Sequence, residues 1–255
     1  MILTIDIGNT NITLGGFDGD KLAFVARLST NTAQTADEYA GKISATLGLY
    51  RVEPTAVRGA ILSSVVPPLN AAVREAIRFI CGVDALVVGP GIKTGLNIHC
   101  DHPASVGSDL ICACVAAQQL YGSPALIVDM GTVTKMMVID HRGTFIGVSF
   151  MPGAAMGLRA LSDGTAQLPQ VSLEPPGGLL GKNTADCMRS GAVYGNASMI
   201  DGMIDRFREE LGEELPVYAT GGLASAVVPY CRHEVRLDEH LILRGLYLLY
   251  QKNNK

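Results

Sequence analysis

Two short stretches of the sequence place an acid, a glycine and a hydroxyl in the same order. The first runs from Asp6 to Thr10 and the second from Asp129 to Thr134, each directly after an apolar run. Apolar residues resume almost at once after each stretch, so each acid should lie at or near a tight β-hairpin turn. Glycine there permits a positive φ and lets a ligand approach the backbone closely. Exposed N–H groups and hydroxyls can bind phosphate oxygens, and the carboxylate can hold a metal ion directly or through water.

A single stretch of this kind is weak, because Asp and Gly are ordinary turn residues. Two copies, each opening one half of the chain, are more specific. The doubling resembles the phosphate-binding turns of the actin, Hsp70 and sugar-kinase superfamily, in which two related domains close on a nucleotide. That resemblance implies an α/β fold with two ribonuclease H-like domains and a nucleotide cleft between them.

Composition limits the classes of protein to consider. The chain has 255 residues, of which 48% are hydrophobic and 17% charged, with a net charge of −4 and no run rich in Lys or Arg. Nucleic acid is therefore not expected as a partner. The sequence shows no signal peptide and no apolar run of membrane-spanning length, which predicts a cytoplasmic protein without a membrane partner. The six cysteines lack metal-ligand spacing and are expected to be reduced thiols.

The order of predicted elements repeats between the two halves. Strands are expected at residues 2–7, 12–17, 21–28, 59–65 and 84–88, and again at 125–129, 133–140, 144–150 and 217–219. Helices are expected at about 36–50, after Pro67 and Pro68, within 104–121, and at 153–167, 183–211, 223–231 and 241–250. The pattern predicts a mixed sheet covered by helices in each half. The predicted domains are residues 1–115 and 116–255.

Over nearly its whole length the chain resembles the type III pantothenate kinases. The matching stretches stand in the family's order; they are Asp6-Ile-Gly-Asn-Thr10, His102-Pro-Ala-Ser-Val-Gly-Ser-Asp109, Asp129-Met-Gly-Thr-Val-Thr134, Pro152-Gly153, Gly181-Lys-Asn-Thr184 and Thr220-Gly-Gly222. The resemblance implies ATP-dependent phosphorylation of the primary hydroxyl of pantothenate, the first step toward coenzyme A. It also implies a divalent metal such as Mg²⁺, a monovalent cation such as K⁺ or NH₄⁺, and a homodimer.

The same resemblance implies roles for individual residues. Asp6 would organise the metal and the phosphates, Asp129 would help to hold the monovalent cation, and Asp109 would be the general base. The expected nucleotide-binding set is Gly8, Asn9, Thr10, Gly131, Thr132, Thr134, Thr220, Gly221 and Gly222, and the expected pantothenate-binding set is Gly107, Ser108 and Thr184. A carboxylate beside the attacking hydroxyl can accept its proton in the transition state. Local sequence alone favours an acid stabilised by a helix N-terminus at Asp109, and it is the place of Asp109 in the family motif that favours the base role.

Four positions depart from the family pattern. Leu110 stands where an arginine is expected to bind the substrate carboxylate, and Cys100 stands where a tyrosine helps to enclose pantothenate. Lys135 replaces a threonine of the second turn, and Val148 replaces a glycine. A hydrogen bond to a charged group contributes about 1.5–3 kcal/mol, or about one to two decades in affinity. The departures favour an altered acceptor or a weakened enzyme over a different fold.

Lys135 has two interpretations. Its ammonium group is a compact charge with three donors, so it could occupy or offset the monovalent-cation site near Asp129. Alternatively, the side chain points from its strand to solvent.

Two functions remain open at this point. One is a kinase acting on pantothenate or a related small hydroxy compound, and the alternative is a catalytically weak or silent paralogue that binds a nucleotide or a partner protein.

The expected homodimer would use the long helix from about Asn183, whose apolar face includes Met199, Met203 and Phe207. An intramolecular core helix would explain the same face.

Overall fold

The computed structural model describes residues 1–254, and these residues divide into two compact units. The first unit contains residues 1–96, residues 101–116 and the chain from Leu241 onward. The second contains residues 97–100 and 117–240. Each unit is built around one β-sheet with helices packed on it.

The first unit holds a five-stranded sheet. Its strands are β1 (Ile2–Ile7), β2 (Asn11–Asp18), β3 (Lys21–Ser29), β4 (Gly59–Ser64) and β5 (Ala85–Val87), with helices α1 (Ala36–Leu49) and α2 (Pro68–Cys81). The sheet order is β3-β2-β1-β4-β5. Central strand β1 pairs antiparallel with β2 and parallel with β4, so the β-β-β-α-β-α-β order predicted from the sequence is confirmed.

The second unit repeats this plan with a six-stranded sheet. Its strands are β6 (Asn97–Ile98), β7 (Ala125–Met130), β8 (Val133–Ile139), β9 (Thr144–Pro152), β10 (Val217–Thr220) and β11 (Val235–Leu237). The remaining helices of the chain are α3 (Ser108–Tyr121), α4 (Ala154–Asp163), α5 (Thr184–Leu211), α6 (Ala224–Val227) and α7 (Leu241–Asn253). The sheet order is β11-β10-β7-β8-β9-β6, and central strand β7 pairs antiparallel with β8 and parallel with β10. β7 therefore occupies the place in this sheet that β1 occupies in the first.

Local sequence signals account for the helix ends. Thr35 caps α1 through a capping box, in which its side chain accepts from the backbone of Glu38 while the Glu38 carboxylate accepts from the backbone of Thr35. Asn183 caps α5 by accepting from the backbone of Asp186. Gly212 ends α5 with a φ of 67°, a left-handed conformation that glycine adopts without steric cost.

The unit to which the last helix belongs differs from the predicted domain boundaries. The prediction assigned residues 116–255 to one domain, but α7 belongs to the first unit. Gly245 lies so close to α3 that an added Cβ would clash with the Cys112 carbonyl oxygen. The ring of Tyr247 stacks on Phe17 of β2, with centroids 4.3 Å apart. These contacts join residues far apart in sequence, and no local pattern encodes them.

The apolar face of α5 serves an intramolecular core. Ile200 and Ile204 are fully buried, and Met203 and Phe207 pack against the same cluster. This packing accounts for Met203 and Phe207 on the face that motivated a dimer contact, and the contact itself stays a prediction. Within residues 1–254, no helix is long and apolar enough to cross a membrane.

Candidate active site

The first hairpin turn joins β1 to β2 through residues 8–10. The Gly8 amide donates to the Asn11 carbonyl at 3.0 Å, and the Thr30 hydroxyl donates to the Gly8 carbonyl at 2.7 Å. The first bond closes the turn, and the second ties it to the residue that follows the end of β3, while Asn9 and Thr10 are exposed. The turn thus presents polar groups in a fixed geometry, as a phosphate-binding turn requires.

Asp6 lies one residue before the end of β1, with a partly exposed side chain. Its Oδ1 atom accepts a hydrogen bond of 2.5 Å from the Ser63 hydroxyl on the neighbouring strand β4. Mg²⁺ prefers oxygen ligands and is often bound through one or two carboxylates. The fixed carboxylate of Asp6 therefore fits the metal role that the sequence predicts for it.

Asp109 is the second residue of α3 and is only 6% exposed. Its Oδ1 atom accepts from the Leu110 amide at 2.9 Å, the contact expected of an acid in the first turn of a helix. An added Cβ on Gly107 would meet this same oxygen at 2.5 Å, so Gly107 makes room for the carboxylate. The local contact does not compete with a role as base, because a carboxylate has several lone-pair sites.

The charges of both acids affect one buried thiol. Burial raises the pKa of Cys112 on α3 well above its ordinary value, and the negative charges of Asp6 and Asp109 raise this pKa further. Strand β4 also bonds to both neighbourhoods, through one hydrogen bond to the Asp6 carboxylate and two hydrogen bonds to the residue before Asp109. The first unit thus brings together the expected metal-binding acid and the expected base.

The second hairpin turn, residues 131–132, joins β7 to β8. The Gly131 amide donates to the Val133 carbonyl at 3.3 Å, so the glycine amide is bonded within this turn as it is in the first, but to a carbonyl two residues on instead of three. Two further glycines enclose it. A Cβ on Gly153 would meet the backbone oxygens of Gly131 and Thr132 at 2.5 Å, and a Cβ on Gly221, whose φ is +95°, would meet Asp129 Oδ1 at 2.6 Å. Side chains at Gly153 and Gly221 would displace this turn.

Asp129 and Lys135 form a largely buried ion pair. They lie opposite each other on β7 and β8, and the Lys135 Nζ atom is 2.9 Å from Asp129 Oδ2. The lysine side chain is 19% exposed and the aspartate side chain 7%. The interpretation in which Lys135 points to solvent is therefore wrong. The ammonium instead compensates the charge of the acid predicted to hold a monovalent cation.

The other residues predicted to bind the nucleotide in the second unit differ in solvent accessibility. Thr134 is fully buried, and within residues 1–254 its hydroxyl oxygen has no hydrogen-bond partner. Such an orphaned hydroxyl calls for water or a ligand group. Thr220 is buried at the end of β10, in register with Asp129, while Gly222 in the following turn is exposed.

The residues predicted to bind pantothenate are distributed over both units. Ser108 begins α3, and its hydroxyl accepts from the Ser64 amide at 2.9 Å and donates to the Ser64 carbonyl at 3.1 Å. That hydroxyl thus has a structural role, and its contact with a substrate stays a prediction. Thr184 is exposed at the start of α5. Leu110, in the place of the expected arginine, is buried, whereas Cys100 and Val148 are partly exposed.

Each unit therefore collects one set of the predicted residues. The first unit holds Asp6, Gly8, Asn9, Thr10, Gly107, Ser108 and Asp109, and the second holds Asp129, Gly131, Thr132, Thr134, Thr184, Thr220, Gly221 and Gly222. Sequence reasoning missed Ser63 as the partner of Asp6. The available signal was a buried strand ending in two serines, which becomes informative only when β4 is known to lie beside β1.

The fold is found in solved structures of several functions. A conserved protein of Campylobacter jejuni assigned to the Baf family of transcriptional activators has a TM-score of 0.61 at 18% identity, covering 99% of this chain and 98% of its own. Component A of the (R)-2-hydroxyglutaryl-CoA dehydratase of Acidaminococcus fermentans has a TM-score of 0.57 at 14% identity, covering 100% and 99%. A ROK hexokinase from Thermus thermophilus has a TM-score of 0.51 at 14% identity, covering 98% and 99%. The fold is that of the actin, Hsp70 and sugar-kinase superfamily, which confirms the predicted fold class.

Sequence comparison identifies the family of the chain. A family model described as type III pantothenate kinase matches residues 2–206. The type III pantothenate kinase of Brevibacillus brevis is 41% identical over 255 residues, covering 99% of both chains. That of Dictyoglomus turgidum is 42% identical over 255 residues, covering 99% of this chain and 100% of its own. This chain belongs to the type III pantothenate kinase family.

Proposed function

We propose that the protein phosphorylates pantothenate with ATP, the first step of coenzyme A biosynthesis. The observation that carries the proposal is full-length similarity to type III pantothenate kinases, joined to the retention of Asp6 and Asp109 in one unit. The alternative, a silent paralogue, is not favoured, because the relatives at this identity are kinases over their whole length.

Asp109 acts as the general base in the proposed reaction. Its carboxylate accepts the proton of the primary hydroxyl as that oxygen attacks the γ-phosphorus of ATP, and ADP leaves with the electron pair of the broken bond. Phosphoryl transfer depends chiefly on positioning and charge neutralisation. Burial at 6% exposure and the Leu110 amide hold the Asp109 carboxylate in one orientation, which limits the reorganisation needed during the reaction.

Asp6 and the first turn serve the phosphates. We assign Asp6 to the divalent metal, which supplies charge neutralisation when bound, and the turn Gly8–Thr10 to the phosphate oxygens through N–H groups and hydroxyls. The second turn, with Gly131 and Thr132, is assigned to the same nucleotide, as are residues 220–222. Gly107, Ser108 and Thr184 are assigned to the acceptor.

Lys135 takes the place of a monovalent cation in this proposal. Its ammonium lies 2.9 Å from Asp129 and compensates that carboxylate, so a separate K⁺ or NH₄⁺ ion would meet no net negative charge from the pair. The remaining assignments, a homodimer and a cytoplasmic location, rest on the family resemblance. The packing of Met203 and Phe207 within the second unit explains part of the α5 face by intramolecular contacts, and the role of α5 in a dimer contact stays a prediction.

The decisive experiment measures ADP release directly by chromatography, with the phosphorylated product identified by mass spectrometry. Pantothenate is compared with pantetheine, which lacks the carboxylate, and with related hydroxy acids, each with and without K⁺ or NH₄⁺. We expect phosphorylation of pantothenate that does not depend on the monovalent cation. Because Leu110 cannot pair with a carboxylate, the preference for pantothenate over pantetheine should be weak.

Asp109→Asn is the control for background ATP hydrolysis in that assay. Acceptor-dependent ADP release that persists in this variant would show that the proposed base is wrong. No acceptor-dependent release from the wild type with any compound would contradict the kinase assignment itself.

A further inference from the structure

Ser63 lies directly beside the acid assigned to the metal. β1 and β4 are parallel neighbours, and Asp6 is in register with Ser63, so their side chains leave the sheet on the same face. The Ser63 hydroxyl donates to Asp6 Oδ1 at 2.5 Å, and Ser63 is fully buried. A short O–H···O⁻ bond of this kind is about twice as strong as a neutral hydrogen bond. It takes one lone-pair site of the carboxylate and restricts its rotation.

The next residue connects the same strand to the helix that carries the base. The backbone N–H and carbonyl of Ser64 both bond to the Ser108 hydroxyl, and Ser108 immediately precedes Asp109. The Ser64 hydroxyl in turn accepts from the Val66 amide at 3.0 Å, just before α2. The end of β4 therefore holds the Asp6 side chain on one side and the first turn of α3 on the other.

We propose that Ser63 is a positioning residue for phosphoryl transfer, which orients the Asp6 carboxylate toward the divalent metal of the bound nucleotide. This inference rests on the proposed function, since it assigns Asp6 to that metal. Ser63 touches neither substrate nor metal in this proposal; it acts through Asp6. Without this donor, the carboxylate loses one restraint on its orientation toward the ion.

The test compares Ser63→Ala, which removes the donor, with Ser63→Thr, which keeps a hydroxyl. Thr4→Val is the matched control: Thr4 is fully buried on β1, two residues before Asp6, and its hydroxyl donates to the Gly15 carbonyl at 3.1 Å instead of to an acid. Mg²⁺ is titrated calorimetrically in the presence of the non-hydrolysable ATP analogue adenylyl imidodiphosphate. Pantothenate kinetics and the urea midpoint are measured for the same proteins.

Ser63→Ala should raise the Mg²⁺ concentration for half-saturation about tenfold or more, because it removes one hydrogen bond to a charged group. The KM for pantothenate should stay within about twofold, since the acceptor contacts are untouched. Ser63→Thr should recover most of the Mg²⁺ affinity, and Thr4→Val should match the wild type in Mg²⁺ dependence whatever its urea midpoint.

Equal half-saturation by Mg²⁺ in the wild type and Ser63→Ala would overturn the inference, as would an equal shift in Thr4→Val. Either result leaves the proposed function intact, because the wild type would still bind the metal–nucleotide complex. A wild type that binds no such complex would instead overturn the proposed function, and the role of Ser63 with it.

Discussion

Replacing Lys135 with threonine should make the stability of the protein depend on K⁺. The substitution leaves Asp129, at 7% side-chain exposure, without the ammonium that lies 2.9 Å away. Removing one partner of a buried pair costs about 3–5 kcal/mol. Since the lysine is 19% exposed, water can reach the site in part, and the lower end, about 3 kcal/mol, is expected.

A bound cation can offset this loss by mass action. At a K⁺ concentration one hundred times its dissociation constant, binding to the native state alone contributes about 2.7 kcal/mol. K⁺ should therefore restore nearly all of the stability of Lys135→Thr. The wild type should show no such response, because its ammonium already occupies the place beside Asp129.

The assay is urea unfolding followed by far-UV circular dichroism, because the chain contains no Trp. KCl is compared with tetramethylammonium chloride at equal ionic strength, which separates a specific ion from charge screening. Lys21→Thr, at an exposed strand position, is the control for losing a lysine. In the double variant Asp129→Asn with Lys135→Thr, the uncompensated charge is gone and the K⁺ response should disappear.

An identical K⁺ dependence in the wild type and Lys135→Thr would refute this reasoning. So would a K⁺ response that persists in the double variant, because the ion would then be bound elsewhere.

Three further substitutions test the site and the packing around it. Asp109→Asn should lower the rate of phosphoryl transfer about 10²–10⁴-fold while leaving nucleotide binding, measured by calorimetry, nearly unchanged. Full activity in this variant would show that Asp109 is only an acid at a helix end. Gly107→Ala should lower kcat without a large change in the urea midpoint, because its Cβ would displace only the end of the Asp109 side chain; unaltered kcat would show that this carboxylate needs no fixed position. Gly245→Ala should cost about 1–3 kcal/mol in urea unfolding, because its Cβ would meet the Cys112 backbone. Gly41→Ala, with open space around its Cβ, is the control and should be neutral or stabilising; an equal loss in both would contradict the packing argument.

The hairpin turns were predictable because their causes are local. An apolar run, an acid and a glycine within a few residues are enough to predict a strand and the turn that ends it. The ends of α1 and α5 were likewise encoded by Thr35, Asn183 and Gly212, whose side chains or backbone act within one turn of the helix. The short strands β6 and β11 escaped prediction, since two or three residues carry no period.

The two acids could be recognised from the sequence, but the residues that contact them could not. Asp6 and Asp129 were recognisable from the duplicated motif, whereas Ser63 and Lys135 became their partners through strand register. A shift of one residue in either pairing would turn these side chains to the opposite face. The family pattern therefore indicated that Lys135 was unusual without showing that it forms an ion pair.

The sequence by itself determined the longer elements, the two turns and the family, because short-range periodicity and motif order encode them. Only the tertiary structure decided that α7 packs with the first unit, that Met203 and Phe207 pack against a core cluster, and that Ser63 holds Asp6. Each of these depends on which distant segments meet. That choice is made by burying apolar surface and by pairing buried polar groups across the whole chain, and no window of neighbouring residues contains it.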